Sequence, residues 1–434
     1  MAKVLIYSPQ LIGKSMAGPA IRTWEFAKAL SKHHRVVLIS SGPSDQQTDA
    51  FEIISFQDPI CKKHFQTADV LITQRLTLPL AFATASHRLK IIIDAYDPSP
   101  LELLEQHKNE TPSERAKQIN SEVSTLAFSF QMAHGILCAS EKQRELWLGF
   151  LLGQKLITPA LYDADPSLRN YLAVVPFGLS STSPKRSGKG LKEKLGLHAD
   201  DKVILWGGGI WNWFDPLSLI KAIKIISMKR SDIKLVFMGV KPPDPAAFHL
   251  SMALEAMQLA KKLDLIDRFV FFHHDWVPYE ERENFLLDAD IGVSTHFDHL
   301  ETRYAFRTRI LDYLWAQLPV VATTGDSFAE LIERHDLGAT VPYQNEQALA
   351  QAFLSILENP DRIKQIKDNL SLIREQFHWE KTVAPLNQMI EQLSLLPKPR
   401  SQWQNGKAAL GFLKRKIQDK GLAACFYKYL FFKS

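Results

Sequence analysis

Glu301-Thr-Arg-Tyr-Ala-Phe-Arg-Thr-Arg-Ile-Leu-Asp312-Tyr-Leu-Trp-Ala-Gln-Leu-Pro-Val-Val-Ala-Thr-Thr-Gly325-Asp reads as an anion-gripping loop, a helix and a buried strand. Arg303, Arg307, Arg309 and the carboxylate of Glu301 fall just before or within the first turn of the predicted helix. There, free backbone N–H groups and the helix dipole favour phosphate. Asp312, one turn on, can accept hydrogen bonds from a sugar diol. A nucleotide diphosphate sugar carries both groups.

Outward from this segment, short β-branched or apolar runs alternate with helical patterns. Before it stand Val4–Tyr7, Val36–Ile39, Val70–Ile72, Ile91–Ile93 and Gly135–Cys138. A second series comprises Val203–Trp206, Lys234–Met238, Phe269–Phe272, Ile291–Val293, Pro319–Ala322 and Gly338–Val341. Strands buried on both faces and separated by amphipathic helices predict an α/β chain with two parallel sheets. The Ser-, Pro-, Gly- and Lys-rich loop Ser180–Gly190 is the predicted boundary. The expected domains are 1–180 and 181–395, with a tail over 396–434, and two such domains would present their strand ends to a shared cleft. Helical patterns over 346–357, 361–377 and 379–395 are expected to close the second domain.

The 434 residues allow two substantial cores, and 46% hydrophobic with 23% charged residues is an ordinary globular composition. Three scattered cysteines, Cys61, Cys138 and Cys425, suit neither a disulfide framework nor a CxxC metal site. No secretory signal or membrane span is legible, so a cytoplasmic location is expected. The net charge of +5 hides an asymmetry: the segment 397–434 carries +8 and the remainder −3. The tail places Leu410, Leu413 and Ile417 at helical spacing beside Lys407, Lys414, Arg415 and Lys416, and ends in Phe426-Tyr-Lys-Tyr-Leu-Phe-Phe432. It suits either an anionic membrane surface or packing across the two domains. No nucleic-acid partner is expected.

Several motifs stand at the predicted strand ends: Gly18-Pro-Ala-Ile-Arg-Thr-Trp-Glu25, Asp94-Ala-Tyr-Asp-Pro98, Cys138-Ala-Ser-Glu-Lys-Gln-Arg144, Val175-Pro-Phe-Gly178 and Leu205-Trp-Gly-Gly-Gly-Ile-Trp-Asn-Trp-Phe-Asp-Pro216. With the opening segment, they make residues 1–395 resemble the family 4 retaining glycosyltransferases of GT-B architecture, in particular a bacterial branch of surface-polysaccharide assembly. The resemblance implies transfer of a sugar from a nucleotide diphosphate sugar to a glycan or lipid-linked acceptor, with retention and without a bound metal or other cofactor. The family's acidic pair stands eight positions apart, whereas Glu301 and Asp312 stand eleven apart. Asp312 therefore matches the ribose-binding acid, and Glu301 takes the catalytic-side role only if the loop is longer. Many relatives carry an Arg and a Lys at the glycine turn to hold the diphosphate. Both are missing here, which shifts that task to Arg303, Arg307 and Arg309 and leaves open a catalytically weak scaffold or sugar-nucleotide-binding subunit.

The remaining candidates each have two readings. Gly18, Gly208 and Gly209 let a backbone approach the donor or are plain turn glycines. Trp211 and Trp213 stack on a ligand or pack an interface, with Asn212 between them. His296 is a hydrogen-bonding group at the cleft or structural, and the sequence offers its HxxH no third metal ligand. Asp97 caps a helix or orients an acceptor hydroxyl as a catalytic acid or base. Gly13-Lys14-Ser15 lacks the upstream glycine of a P-loop, and no GxGxxG follows Tyr7 to hold a nicotinamide dinucleotide.

Overall fold

The computed structural model describes residues 1–84, 89–241, 251–393 and Gly411. The basic tail, Gly411 apart, and the membrane contact expected of it lie outside these residues.

The described chain divides into two compact units, each built on a parallel sheet. The first contains Met1–Gly13, Gly18–Pro176 and the described residues from Thr382 onward; the second contains Lys14–Ala17 and Phe177–Lys381. In the first, β1 (Lys3–Tyr7), β2 (Arg35–Ser40), β3 (Glu52–Ser55), β4 (Val70–Thr73), β5 (Lys90–Asp94), β6 (Gly135–Cys138) and β7 (Leu172–Val174) lie in the order β3-β2-β1-β4-β5-β6-β7. In the second, β8 (Lys202–Gly207), β9 (Ile233–Met238), β10 (Val270–His273), β11 (Ile291–Ser294), β12 (Val320–Thr323) and β13 (Gly338–Val341) lie in the order β10-β9-β8-β11-β12-β13. These are two Rossmann-like units of the GT-B fold.

The strands show little alternation because helices cover both faces. Val4 to Ile6, Val37 to Ile39 and Ile204 to Trp206 are completely buried. Each order reverses once, between β1 and β4 in the first sheet and between β8 and β11 in the second. In open parallel sheets the loops leaving the strands at such a reversal splay apart and make room for a ligand.

Two sequence expectations are corrected. The units part at Pro176–Phe177, a few residues before the predicted loop. The last described helix, Ala384–Gln392, belongs to the first unit and not to the second. It buries Leu386, Met389 and Ile390, and Asn387 Oδ1 lies 2.9 Å from His34 Nε2, a contact that hydropathy patterning cannot reveal. The helices Glu346–Leu357 and Pro360–Ile373 remain with the second unit.

Candidate functional site

One side chain spans the reversal in the second sheet. Tyr313, on the helix Thr308–Trp315, crosses β11 at Gly292, where an added Cβ would stand 2.3 Å from its ring. Its hydroxyl accepts from Gly207 N at 2.8 Å and lies 3.0 Å and 2.9 Å from the carbonyls of Leu205 and Val293. The ends of β8 and β11 are thus joined through a phenol where the strands separate. Burial pushes that phenol up to about 12, so it remains a neutral donor.

Beyond β8 the chain turns through Gly208, whose φ of +83° favours glycine and whose missing Cβ faces open space. Gly209 presents its carbonyl inward, where it accepts from Arg309 Nη2 at 2.9 Å and from Trp206 Nε1 at 3.3 Å. Asp215 then caps the helix Pro216–Ser227 by accepting from Ser218 N at 2.9 Å, and Pro216 fits the first helical position.

The loop leaving β11 carries the charges. It forms a short helix, Leu300–Tyr304, before the helix Thr308–Trp315. His299 caps the short helix: its Nδ1 accepts from Thr302 N, and its Nε2 donates to the Trp213 carbonyl at 3.1 Å. Buried Glu301 accepts from both terminal nitrogens of Arg307, at 2.9 Å and 2.7 Å. Arg307 Nε lies 3.8 Å from Asp326 Oδ2, and His296 Nε2 lies 3.3 Å from the same atom. Burial works against the Asp326 carboxylate, yet His296 and Arg307 outweigh it and hold its pKa below the ordinary range. Burial is the largest influence on His296 and lowers its pKa, against the opposing pull of Asp326.

Arg309 differs from Arg307. It is buried, its guanidinium carbon lying 4.3 Å from the Trp206 ring centre and 4.1 Å from that of Phe214. Among the described residues no carboxylate pairs with it, and its Nη1 makes no hydrogen bond. Burial pushes the guanidinium down to about 9, Arg307 adding to the effect and Tyr313 opposing it. A buried cation without a counter-ion, beside a glycine turn and a helix N-terminus, is a prepared place for an anion. Near the other end of that helix Asp312 keeps about a third of its side chain accessible, and its Oδ1 accepts from Arg282 Nε at 2.9 Å.

The first unit has its own cluster after β4 and β5. Arg22, with no exposed surface, grips Asp94 through Nε at 2.7 Å and Nη2 at 2.8 Å, and also reaches the Val175 carbonyl. A recess beside this pair is lined by Gln74, Arg75, Tyr96, Asp97 and Ser99. Ser99 donates to Glu122 at 2.6 Å, and Arg75 pairs with the other Glu122 oxygen at 2.8 Å. Burial raises the Asp97 carboxyl to about 7; Asp94 adds to the rise, while the hydrogen bond from Tyr96 and the charge of Arg22 oppose it.

Residues 201–359 match the family described as "Glycosyl transferases group 1". That stretch is similar to the group 1 glycosyl transferases. The remainder of the chain is matched in fold. Sucrose-phosphate synthase from Thermosynechococcus elongatus aligns at a TM-score of 0.64 and 15% identity, covering 92% of this chain and 100% of that one. Anabaena HepE in complex with UDP-glucose aligns at 0.60 and 16%, covering 91% and 100%. WaaG, a glycosyltransferase involved in lipopolysaccharide biosynthesis, aligns at 0.56 and 14%, covering 89% and 98%. No curated protein matches the sequence.

Within the matched stretch the sequence-predicted residues separate into two sets. Gly208, Gly209, Arg309 and Asp312 lie on the loop after β8 or on the helix that follows β11. Glu301, Arg307 and His296 are instead enclosed in one buried charge network with Asp326, because the loop folds as a helical turn that directs their side chains inward. Arg303 is exposed, its guanidinium carbon 5.9 Å from the Tyr304 ring centre. Trp211 and Trp213 stack on each other at 5.7 Å, and Asn212 Oδ1 lies 3.3 Å from Met252 N at the start of the helix Ser251–Lys262. Gly18 begins the helix Gly18–Leu30, where an added Cβ would meet only the Tyr96 hydroxyl, at 3.8 Å. Tyr313 and the Arg22–Asp94 pair were missed. Tyr313 reads as one more apolar position of its helix, and Arg22 and Asp94 stand 72 residues apart. Among the described residues no group of three His, Cys, Asp or Glu side chains converges as a metal site, and no helix is long and apolar enough to cross a membrane.

Proposed function

We propose that the protein transfers a hexosyl or deoxyhexosyl group from a nucleotide diphosphate sugar to a hydroxyl of a glycan or lipid-linked acceptor, with retention, in the assembly of a cell-surface polysaccharide. The observation that carries this reading is Arg309, a buried guanidinium without a counter-ion beside the Gly207–Gly209 turn.

As the anomeric C–O bond breaks, negative charge gathers on the departing diphosphate and the sugar becomes oxocarbenium-like. Arg309 and the N–H groups that open the helix Thr308–Trp315 stabilise that charge without reorganising, which is the largest effect available to such a site. The acceptor oxygen attacks from the face the diphosphate leaves, and its proton passes to the departing phosphate oxygen. Asp312 accepts from the ribose hydroxyls. Asp97, in the first unit, accepts from a second hydroxyl of the acceptor and so orients the attacking one. The cationic charge that a metal would bring to the diphosphate comes here from the side chains. The location that fits is the cytoplasmic side of a membrane, reached through the basic segment 397–434.

The lack of an Arg–Lys pair at Gly207-Gly208-Gly209-Ile210-Trp211-Asn212 favours a second reading, a scaffold subunit that binds the donor but turns it over slowly. One experiment separates them. A thermal-shift panel of UDP-, GDP- and dTDP-sugars identifies the donor, with UDP-glucose first because the Anabaena protein of the same fold is bound to it. Release of the nucleoside diphosphate is then followed with a lipid-linked acceptor present. Acceptor-dependent release supports the transferase; binding without release supports the scaffold; no binding contradicts both.

A further inference from the structure

Asp312 does not stand alone on its helix. The carboxylate accepts from Arg282 Nε at 2.9 Å through Oδ1, while Oδ2 takes no hydrogen bond among the described residues. Arg282 is itself fixed. Its guanidinium carbon lies 3.8 Å from the ring centre of Tyr279 and 4.5 Å from that of Trp315, and it donates to the Tyr279 carbonyl. Trp315 is anchored in turn by its indole N–H on the Thr182 carbonyl at 2.6 Å. Only about a tenth of the Arg282 side chain is accessible, against a third of Asp312.

A surface ion pair between two mobile side chains contributes little. This pair is built differently, because one partner is held by two aromatic rings and can give up few rotamers when it binds the other. The consequence falls on Asp312. A free aspartate samples several χ1 and χ2 wells and loses that freedom when it binds a diol, whereas a carboxylate tied by one oxygen offers the second in a set direction.

We propose that Arg282 is a positioning residue that sets the preference of the nucleotide site for ribose over 2′-deoxyribose by orienting Asp312. The proposal rests on the reading of Asp312 as the ribose acid. Arg282 touches no substrate in this scheme, and its effect is confined to the contribution of the 2′-hydroxyl.

The test is calorimetric titration of UDP and 2′-deoxy-UDP, and of GDP and 2′-deoxy-GDP, into the wild-type chain and into Arg282→Gln, Arg282→Lys and Asp312→Asn. Each readout is a ratio of two affinities measured on the same folded protein, so a general loss of stability does not imitate the effect. The wild-type ratio is expected to be about tenfold or more, as for a hydrogen bond to a charged group. Arg282→Gln should reduce it to about twofold, and Arg282→Lys, which keeps the charge but not the directed Nε–H, should fall between. A ratio lost in Asp312→Asn but intact in Arg282→Gln overturns the proposal and leaves the ribose reading standing. A ratio intact in Asp312→Asn, or no wild-type preference in either pair, overturns the ribose reading and the proposal with it.

Discussion

Arg307 closes a two-armed ion pair on Glu301, at 2.9 Å and 2.7 Å, two residues before Arg309, which has no acid to pair with among the described residues. The two arginines lie over one ring, Phe214, at 4.9 Å and 4.1 Å from its centre. Neutralising the first leaves the second as a buried positive charge with no acid beside it among the described residues. In this arrangement Arg307 builds the site and Arg309 is available to a ligand.

Glu301→Gln should therefore act mainly on stability. It leaves Arg307 with only the Asp326 carboxylate, 3.8 Å from its Nε, and breaking a buried pair from one side costs about 3–5 kcal/mol. Urea denaturation should show that loss. Unchanged stability with lost turnover would place Glu301 against the donor sugar instead.

Tyr313→Phe removes the hydroxyl that joins Gly207 N to the carbonyls of Leu205 and Val293. All three backbone groups are buried, and leaving one unsatisfied costs about 1–3 kcal/mol. A lower melting temperature with weaker nucleotide binding is expected, since the glycine turn begins at Gly207. If binding is unaffected once the protein is folded, the turn does not depend on the phenol.

The Asp97 carboxyl, raised to about 7, gives a pH signature. An unfolded aspartate ionises near 3.9, so between that pH and about 7 the folded chain holds a proton that the unfolded chain has released. Stability falls as pH rises through this window, and Asp97→Asn should flatten the slope. Transfer should show the opposite trend: kcat/KM rises through about pH 7 as the carboxylate forms, and loses that inflection in Asp97→Asn. A profile identical in the variant would make Asp97 a structural residue.

Most of both sheets was legible, because strands buried on both faces write themselves as β-branched runs such as Ile91-Ile-Ile93. β3, Glu52–Ser55, was not, being an edge strand with a single buried residue, Ile54. Arg309 and Asp312 were legible as charged residues at a helix start. What hydropathy and spacing could not say is which arginine had already found an acid. Arg307 and Arg309 are two positions apart in the same basic run, and only the inward turn at Leu300–Tyr304 assigns Glu301 to one of them. The return of Ala384–Gln392 to the first unit was equally hidden, since an amphipathic helix does not name the sheet it covers.

The most direct test is Arg309→Met, compared with wild type by titration of UDP and GDP and by thermal melting. Replacing a buried, unpaired charge with an apolar side chain of similar length should leave the melting temperature unchanged or raise it. Nucleotide diphosphate affinity should fall by about thirtyfold or more, as expected when a desolvated charged contact is lost. A folded Arg309→Met that binds the nucleotide as tightly as wild type would contradict the assignment of Arg309 to the diphosphate and the function built on it.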